Sequence, residues 1–517
     1  MPGARSRQGC DECRKRRRKC DEQKPQCGQC AAFSRTCEYS LRLVWQSGSK
    51  TPDTTRDTRH VERQDARSVV QTTKQLPQCL PNGIPLPPRY QRLLGHFTRD
   101  ILASLSCHPS VHQDLGHVLV PAALESPQLM SACLALSAAG YLSRGVFELE
   151  GVETTKILGH LQSSGLALLR SALQSAAVPA SGTQNMSETL LATCLLWCLT
   201  DVFTYRRLDG TLSSSWRIHL QGIRALLDRD GAQRYYFTAS TTTSKLASAQ
   251  MAMRHLHQLY RSLQTLPHIV QPATDNPAPQ PLQPLTQLHL NTSPAIDGFL
   301  GYSDELLDVM RQIDQLSRTP SPLEADILLG KVRAMIARDA VAAPPVILSP
   351  HVASSPTYSF SQKELPEFTL CHQIFQQATL IQMYRRLYHH PSASPSIQSA
   401  VSAMQKMLIS LKGCANGDSN MKPSNGSKEG GETMWVAMAM PVFTLGCEAF
   451  TPDQQAFVQD MMRRVESCIR SLHVSTIRQA LVDVWALREG MGDCGEEGGK
   501  VCAGRLLEKL EYDIILF

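Results

Sequence analysis

The chain has 517 residues, of which 42% are hydrophobic, and a formal net charge of +6. This length predicts about three domains, or one small module beside one large domain, and the composition suffices for a sizeable core. The sequence has no run of about 18 uninterrupted apolar residues, which a membrane-spanning helix would require. The positive charge is local: residues 1–50 carry 12 Lys/Arg and 5 Asp/Glu, a balance of +7, which leaves −1 for residues 51–517. The larger part of the chain is therefore not a general polyanion binder.

Six cysteines near the N-terminus repeat the spacing C-x2-C-x6-C twice: Cys10, Cys13, Cys20, Cys27, Cys30 and Cys37. Thiolates at such short, fixed offsets can converge on a soft divalent ion such as Zn²⁺. Six thiolates can hold one ion with two cysteines left over, or two ions if two thiolates bridge, and the duplicated spacing favours two. The segment has little beyond Phe33 for a hydrophobic core. Metal binding must therefore stabilise its fold.

Three alternatives compete with a DNA-binding zinc module. A disulfide scaffold requires a secreted chain, and we expect none because residues 1–5 contain no apolar signal region. A metallothionein-like store would not place its basic residues in one gap. A zinc module used only for protein contacts is the third alternative. The 11 further cysteines have no metal spacing and indicate a reducing compartment; Cys194 and Cys198 are interpreted as core thiols.

The two gaps between cysteines differ in charge. Residues 14–19 are all Lys or Arg, whereas residues 31–36 contain one positive charge, Arg35. Only the first gap therefore predicts a helix that faces a DNA groove. Because arginine donates bidentately to guanine O6 and N7, sites that contain guanine are the expected targets. A solvated surface or a nuclear import signal is the alternative for any one of these residues.

Residues 10–37 closely resemble the fungal Zn₂Cys₆ binuclear-cluster DNA-binding domain, including the full x2, x6, x6, x2, x6 spacing. The resemblance implies two short helices around two Zn²⁺ ions. It implies that Cys10 and Cys27 bridge the ions, that Cys13 and Cys20 complete one site, and that Cys30 and Cys37 complete the other. Pro25 matches the proline of the family's variable loop. By position, Arg16 and Arg17 would read base edges of a CGG-like triplet, and Arg14, Lys15, Arg18 and Lys19 would contact phosphates.

Residues 41–86 are rich in Thr, Arg, Asp, Gln and Ser and are predicted to be a flexible linker after the zinc domain of residues 1–40. Many members of the family dimerise through a coiled coil here, but this segment has no apolar a/d spacing. The prediction is a monomeric DNA-binding fragment, which leaves the helical body as the route to a homodimer.

The remainder is predicted to be a large all-α regulatory domain over residues 87–490. Apolar residues at 93, 94, 97, 101, 102 and 105 share one helical face, and similar faces recur at 127–143, 154–176, 187–206, 215–229, 245–266, 303–317, 364–388, 433–449, 452–472 and 474–488. Segments rich in Pro and Ser predict disordered insertions near 271–295, 340–360 and 413–432. Residues 216–222, 301–307 and 446–448 resemble the helical region that follows the zinc cluster in this family, and without the family they predict amphipathic core helices.

The sequence predicts a nuclear transcription factor and not an enzyme. It contains no H-E-x-x-H, G-x-S-x-G, P-loop or G-x-G-x-x-G motif, and His255/His257 and His389/His390 are interpreted as surface or satisfied histidines. The partners implied are promoter DNA and the RNA polymerase II machinery or coactivators, at genes of a metabolic or biosynthetic pathway. The alternative is a repressor or scaffold tethered to chromatin. Residues 491–517 are predicted to be an acidic-hydrophobic C-terminal tail. Within it, residues 506–517 place Glu508, Glu511 and Asp513 between bulky apolar residues, which favours an activator; a terminal helix docked on the body is the equal alternative.

Overall fold

Helices dominate the part of the chain that the structure describes. This computed structural model describes residues 12–13, 16, 20–21, 23, 26–33, 37, 86–176, 184–204, 215–229, 244–270, 293–348, 364–416, 430–492 and 499–516. The chain separates into two compact units, Met1–Thr73 and Lys74–Phe517. The first contains the cysteine segment, with helix α1 at Gly28–Ala32, and the second is the helical body.

The body is built from helices of about two to seven turns. In chain order they are α2 Pro88–His96, which continues as a π-helical turn Phe97–Ile101 and a 3₁₀ turn Leu102–Ser104, α3 Pro109–Glu125, α4 Pro127–Ser143, α5 Thr154–Ala176, α6 Gln184–Thr204, α7 Ser215–Arg229, α8 Ser244–Val270, α9 Asp304–Arg318, α10 Pro322–Val341, α11 Glu364–Arg386, α12 Pro395–Asn416, the 3₁₀ segment Gly430–Met438, α13 Ala439–Cys447, α14 Pro452–Ile469, α15 Leu472–Gly490 and α16 Ala503–Lys509.

Many helices begin where the sequence supplies a proline or a capping side chain. Proline is the first residue of α2, α3, α4, α10, α12 and α14, because its fixed φ suits the first turn and its missing N–H has no partner there. Ser126 caps α4 by accepting the Leu129 N–H at 3.4 Å. Thr451 and Gln454 cap α14 reciprocally, each side chain accepting from the backbone of the other.

One hydrophobic core extends through the body from Leu86 to Leu516. Helix α4 is apolar on nearly all sides and packs against both α5 and α6; α6 also packs on α7, and α11 packs on α12. The α5 backbone approaches its neighbours closely at Gly165, where an added Cβ would lie 2.5 Å from Trp197 and 2.8 Å from Ser131. Glycine is required at this crossing because any side chain would collide with the core.

The described residues contain only short strands, which agrees with the predicted all-α body. β1 (Glu148–Leu149) pairs antiparallel with β2 (Val152–Glu153), with Leu149 opposite Val152. β3 (Ile296–Asp297) pairs in parallel with β4 (Val346–Ile347), with Ile296 opposite Val346. β4 therefore lies inside the insertion predicted at 340–360, because Val346 and Ile347 supply a strand partner for the segment that leads into α9.

The three segments that resemble the family's helical region are core elements, which agrees with their interpretation from the sequence alone. Trp216 and Tyr302 are buried. Gly301 adopts φ +81°, and a Cβ there would lie 2.6 Å from the Cys371 sulfur, so the turn before α9 requires glycine. The Gly446 carbonyl accepts the indole N–H of Trp485 at 2.8 Å. These residues hold the body together.

Several observed helices correspond to none of the helical faces predicted from the sequence. Among them are α3, which contains Pro121, α10, which is apolar on opposite sides, and α12. The buried residues of α12 do share one face, so this helix could have been predicted; they include Ile397, Val401, Met404, Leu408 and Leu411. The predicted insertions also shrink at their edges: α12 continues to Asn416 and a 3₁₀ segment begins at Gly430, which shortens 413–432 on both sides, and residues 293–295 and 340–348 are described as well. The rest of these insertions, at 271–292, 349–360 and 417–429, and the linker at 41–85 lie outside the described residues.

The C-terminal segment is part of the body, which corrects both the boundary at residue 490 and the acidic activation segment predicted for 491–517. Tyr512, Ile514, Ile515 and Leu516 are all at most 5% exposed and belong to the main core. The docked helix, the alternative given for this segment, is what the structure contains. The bulky apolar residues are buried because they pack into the core of the body. They are therefore not exposed as they would be in an acidic activation segment.

Charged contacts fix the same segment in place. Asp513 accepts from Arg217 Nε at 3.2 Å and from Arg217 Nη2 at 2.5 Å, and Arg217 lies over the Trp216 ring at 4.3 Å. The Tyr512 hydroxyl donates to Asp483 at 2.6 Å. A bidentate arginine–carboxylate pair fixes geometry as well as charge. The acidic residue at 513 is therefore used inside the fold.

Candidate metal centre and DNA interface

The five cysteines of this segment that the structure describes converge as their spacing predicts. The sulfur atoms of Cys13, Cys20 and Cys27 lie within 4.8 Å of one another, and so do those of Cys27, Cys30 and Cys37. All except Cys37 are buried to 4% exposure or less. Thiolates are soft ligands that suit Zn²⁺, so two overlapping sets of three sulfurs fit two metal ions.

Cys27 is the residue common to both sets. Its sulfur is 3.7 Å from that of Cys13 and accepts the Cys30 N–H at 3.4 Å. Its own N–H donates to the Cys37 sulfur at 3.2 Å. Cys27 is also the N-cap of α1, with extended backbone angles. The chain therefore turns into α1 at the point where the two sets of sulfurs meet, and N–H donors offset part of the negative charge on the sulfurs.

A carboxylate braces this turn. Asp21 Oδ2 accepts the Gly28 N–H at 2.9 Å, and Asp21 Oδ1 accepts the Gln23 N–H at 3.4 Å. A Cβ at Gly28 would lie 2.7 Å from Asp21 Oδ2. Glycine at 28 therefore allows the carboxylate to reach the first N–H of α1. The bond ties the start of α1 to the residue that follows Cys20.

Arg16 is the described member of the basic segment. Residues 12 and 13 are helical, and the Arg16 N–H donates to the Glu12 carbonyl at 3.2 Å, so the turn continues to Arg16. Arg16 Nε also donates to Glu12 Oε1 at 2.8 Å, and 52% of the Arg16 side chain is exposed. A guanidinium one turn after a converging cysteine is thus accessible and already held by one carboxylate. The other predicted site residues, Cys10, Arg14, Lys15, Arg17, Arg18, Lys19 and Pro25, lie outside the described residues.

Sequence reasoning missed three residues of this site: Glu12, Asp21 and Gly28. Glu12 precedes Arg16 by four residues, which is the spacing of a helical ion pair, and this signal was available. Asp21 and Gly28 are seven residues apart. No local spacing rule links them, because their contact depends on how the cysteines fold the segment.

The body offers no second cysteine or histidine cluster among its described residues that could hold a metal. Cys194 and Cys198 are core thiols as predicted, and burial raises the pKa of Cys194 to about 12. His255 differs from the prediction of a surface or satisfied histidine. It is 1% exposed, stacks on Phe299 at 5.5 Å and lies 4.0 Å from Asp297. Burial lowers its pKa, which favours the neutral ring.

Comparison with known proteins places both units in one family. The fungal Zn(2)-Cys(6) binuclear cluster domain matches residues 8–46. The fungal specific transcription factor domain matches residues 92–497, which is more than three quarters of the chain. The cluster domain binds two zinc ions through six cysteines. Its family consists of transcription factors and not of enzymes.

Two curated relatives match the chain over short stretches. The lysine biosynthesis regulatory protein LYS14 of Saccharomyces cerevisiae is 61% identical over 36 residues, which is 7% of this chain and 5% of that protein. The pestheic acid cluster transcriptional regulator 3 of Pestalotiopsis fici is 42% identical over 65 residues, 12% of each chain. The matches therefore span only a small fraction of these relatives. No solved structure matches the chain.

None of the helices in the described ranges is long and apolar enough to cross a membrane. The convergence of the cysteines, the exposed arginine beside them and the helical body agree with the two domain matches. The chain belongs to the fungal Zn(2)-Cys(6) transcription factors, and it is a DNA-binding regulator of transcription with a zinc cluster and a fungal specific transcription factor domain.

Proposed function

We propose that the chain recognises CGG-like triplets in promoter DNA through residues 14–19 and regulates transcription by RNA polymerase II in the nucleus. One observation carries this proposal: the exposed guanidinium of Arg16 follows the metal-ligating turn at Cys13 by a single helical turn. The metal cluster would thereby fix the position at which the basic segment starts. Arginine can donate bidentately to guanine in the major groove.

In this proposal Cys10 and Cys27 bridge two zinc ions, Cys13 and Cys20 complete one site, and Cys30 and Cys37 complete the other. The presence of the Cys27 sulfur in both sets supports its bridging role. Zinc supplies the folding free energy that this short segment lacks. Two Zn²⁺ ions and six thiolates together carry a charge of −2, which the lysines and arginines of residues 14–19 offset.

Arg16 and Arg17 are assigned to base edges, and Arg14, Lys15, Arg18 and Lys19 to phosphates. The Glu12–Arg16 pair supports the assignment of Arg16, because Glu12 already accepts from one edge of the guanidinium and leaves other donors for a base. Charged DNA phosphates attract the whole segment, whereas base contacts discriminate between sequences. Substitutions in the first group should therefore reduce the discrimination between sequences, and substitutions in the second should reduce the affinity for all DNA.

Binding of residues 1–85 to duplexes with and without CGG, measured by fluorescence anisotropy at several salt concentrations, tests this assignment. Arg16→Ala should cost about 1–3 kcal/mol on the CGG duplex and relax the preference within the triplet. Arg14→Ala is the matched control: it should weaken binding to all duplexes alike and reduce the salt slope by about one. Equal losses on both duplexes for Arg16→Ala would overturn its role in base recognition.

We also propose that the regulated genes belong to a metabolic or biosynthetic pathway. The names of the two relatives, a regulator of lysine biosynthesis and a regulator of the pestheic acid cluster, support this class. Mapping the bound sites across the genome of the source organism tests it. Sites scattered without relation to any pathway would contradict it.

We propose activation as the direction of regulation, through coactivators recruited by the helical body. The buried C-terminal segment cannot act as a free acidic segment in this fold, so the body must supply the contacts. A reporter gene with paired CGG triplets, compared with and without the full chain, tests the direction. Reduced reporter output would favour the second function, a repressor or scaffold tethered to chromatin.

A further inference from the structure

Helix α10 has an apolar face that no described part of the chain covers. One side of α10 packs on α9 and α11 through Leu328, Val332 and Met335. The other side carries the exposed residues Leu323, Ile327, Gly330, Ala334, Ala337 and Val341. Leu323, Ile327 and Val341 are 72%, 64% and 90% exposed. A soluble domain rarely exposes such a continuous apolar stripe without a partner.

The spacing of this stripe is that of a helix–helix seam. Its residues alternate steps of four and three along the whole helix, which is the a/d pattern of a coiled coil. Gly330 and the two alanines lie at its centre, where small side chains allow two helix backbones to approach closely. A Cβ at Gly330 would meet nothing within 4 Å in this chain. Glycine lowers helix stability compared with alanine, and the described chain gives no reason for it here.

The charges that flank the stripe select the occupant. Glu324 and Asp326 lie in the first turns of α10, whereas Lys331, Arg333 and Arg338 lie in its later turns, which also contain the buried Asp339. Arg338 pairs with Glu305 at 3.0 Å and with Asp339 at 2.8 Å in its own chain, and 43% of its side chain remains exposed. An antiparallel second copy would place the acidic start of each helix beside the basic end of the other. A parallel copy would place three basic residues beside the same three. Antiparallel helices also align opposite ends of their dipoles.

We propose that the protein forms a homodimer through antiparallel pairing of α10. With a two-fold axis near residue 332, Leu323 packs against Val341 of the second copy, Ile327 against Ala337, and Gly330 against Ala334. Glu324 then lies beside Arg338 of the second copy at both ends. Lys331 and Arg333 lie near the axis, and Arg333 donates to the Tyr384 hydroxyl of its own chain at 3.2 Å.

This dimer gives the full chain a second DNA-binding domain without a coiled coil next to the zinc cluster. It extends the proposed function by naming the surface through which the helical body would pair. The fragment 1–85 lacks α10, so DNA binding by that fragment can succeed or fail independently of the dimer.

Sedimentation of the zinc-loaded full chain over a range of concentrations tests the proposal. The chain should sediment as a dimer of 57.1 kDa subunits, and Ile327→Glu should weaken self-association at least tenfold with unchanged helix content. Ile409→Glu is the matched control, because Ile409 on α12 is 57% exposed and lies outside the stripe. It should sediment as the unaltered chain does. A monomeric unaltered chain overturns the dimer, and a dimer unaffected by Ile327→Glu overturns its placement at α10.

Cysteine pairing tests the orientation. After mild oxidation, a mixture of full chains that carry either Leu323→Cys or Val341→Cys should form a disulfide between residues 323 and 341, identified by mass spectrometry. Neither variant alone should link to itself through the new cysteine. A 323–323 or 341–341 disulfide would show a parallel pairing and overturn the antiparallel arrangement.

Discussion

Substitution of Ile515 by alanine tests whether the C-terminal segment is part of the folded core. Ile515 is 3% exposed and packs within the main core. Replacing such an isoleucine removes several buried methyl groups and leaves a cavity, which costs about 2–5 kcal/mol. The cost is a large fraction of the ~5–15 kcal/mol that stabilises a typical domain. Because the unfolding entropy grows with chain length, a body spanning Lys74–Phe517 loses about 1 °C of its unfolding midpoint per kcal/mol, so we expect a fall of roughly 2–5 °C.

Ile218→Ala is the control for this measurement. Ile218 lies on α7 and is 68% exposed, so the same chemical change should alter stability by no more than about 0.5 kcal/mol. Both variants can be followed by circular dichroism at saturating zinc, so that the small metal domain contributes equally. If the two midpoints agree to within about 1 °C, the C-terminal segment is detached in solution and could serve as an activation segment after all.

Three further predictions concern the metal centre and the pH dependence of stability. Native mass spectrometry of residues 1–50 should show two zinc ions. Cys27→Ser should lose both ions, whereas Cys37→Ser should retain one. A single zinc ion in the unaltered segment would contradict the role of Cys27 as a ligand shared by two ions. Gly28→Ala should displace the Asp21 carboxylate and destabilise the zinc domain by about 1–3 kcal/mol. The variant should then lose zinc to a chelator faster than the unaltered domain. Equal rates of zinc loss would contradict this. Complete burial lowers the pKa of His473 to about 3, so its stabilising contribution is full above pH 6.5 and is lost as pH falls towards 3. Between pH 6.5 and 5 the free energy of unfolding of the unaltered body, measured by urea titration, should fall by about 2 kcal/mol more than that of His473→Gln. An equal pH dependence of the two proteins would refute this.

The cysteine spacing predicts the metal centre because six residues at short separations leave few alternatives for their sulfurs. Helices such as α5 and α7 are equally visible, since their apolar residues recur with the helical period. Helix α10 is not, because its exposed side is also apolar and its stripe does not contrast with a polar face. Only the structure distinguishes the side packed on α9 and α11 from the exposed one.

The C-terminal segment shows a second limit of sequence reasoning. Leucines and isoleucines alternating with acidic residues describe both an activation segment and a docked terminal helix. The choice depends on Arg217 and on Asp483, which lie 296 and 29 residues away from their partners Asp513 and Tyr512. Contacts this distant along the chain leave no local pattern, so the composition of the segment could not decide between the two.

The burial of residues 506–516 in the main core separates the folding of the two units in time. A nascent chain has all six zinc ligands once residue 37 is made, whereas the body lacks part of its core until residue 516 follows, 479 residues later. At ~5–20 residues per second, that interval lasts roughly 25–95 s. During it the metal domain can already be folded and zinc-loaded while the helices of the body still expose the apolar surface that the last residues cover. Chaperone dependence should therefore be concentrated in the body, and a chain truncated before residue 506 should have an intact zinc cluster and an unstable body.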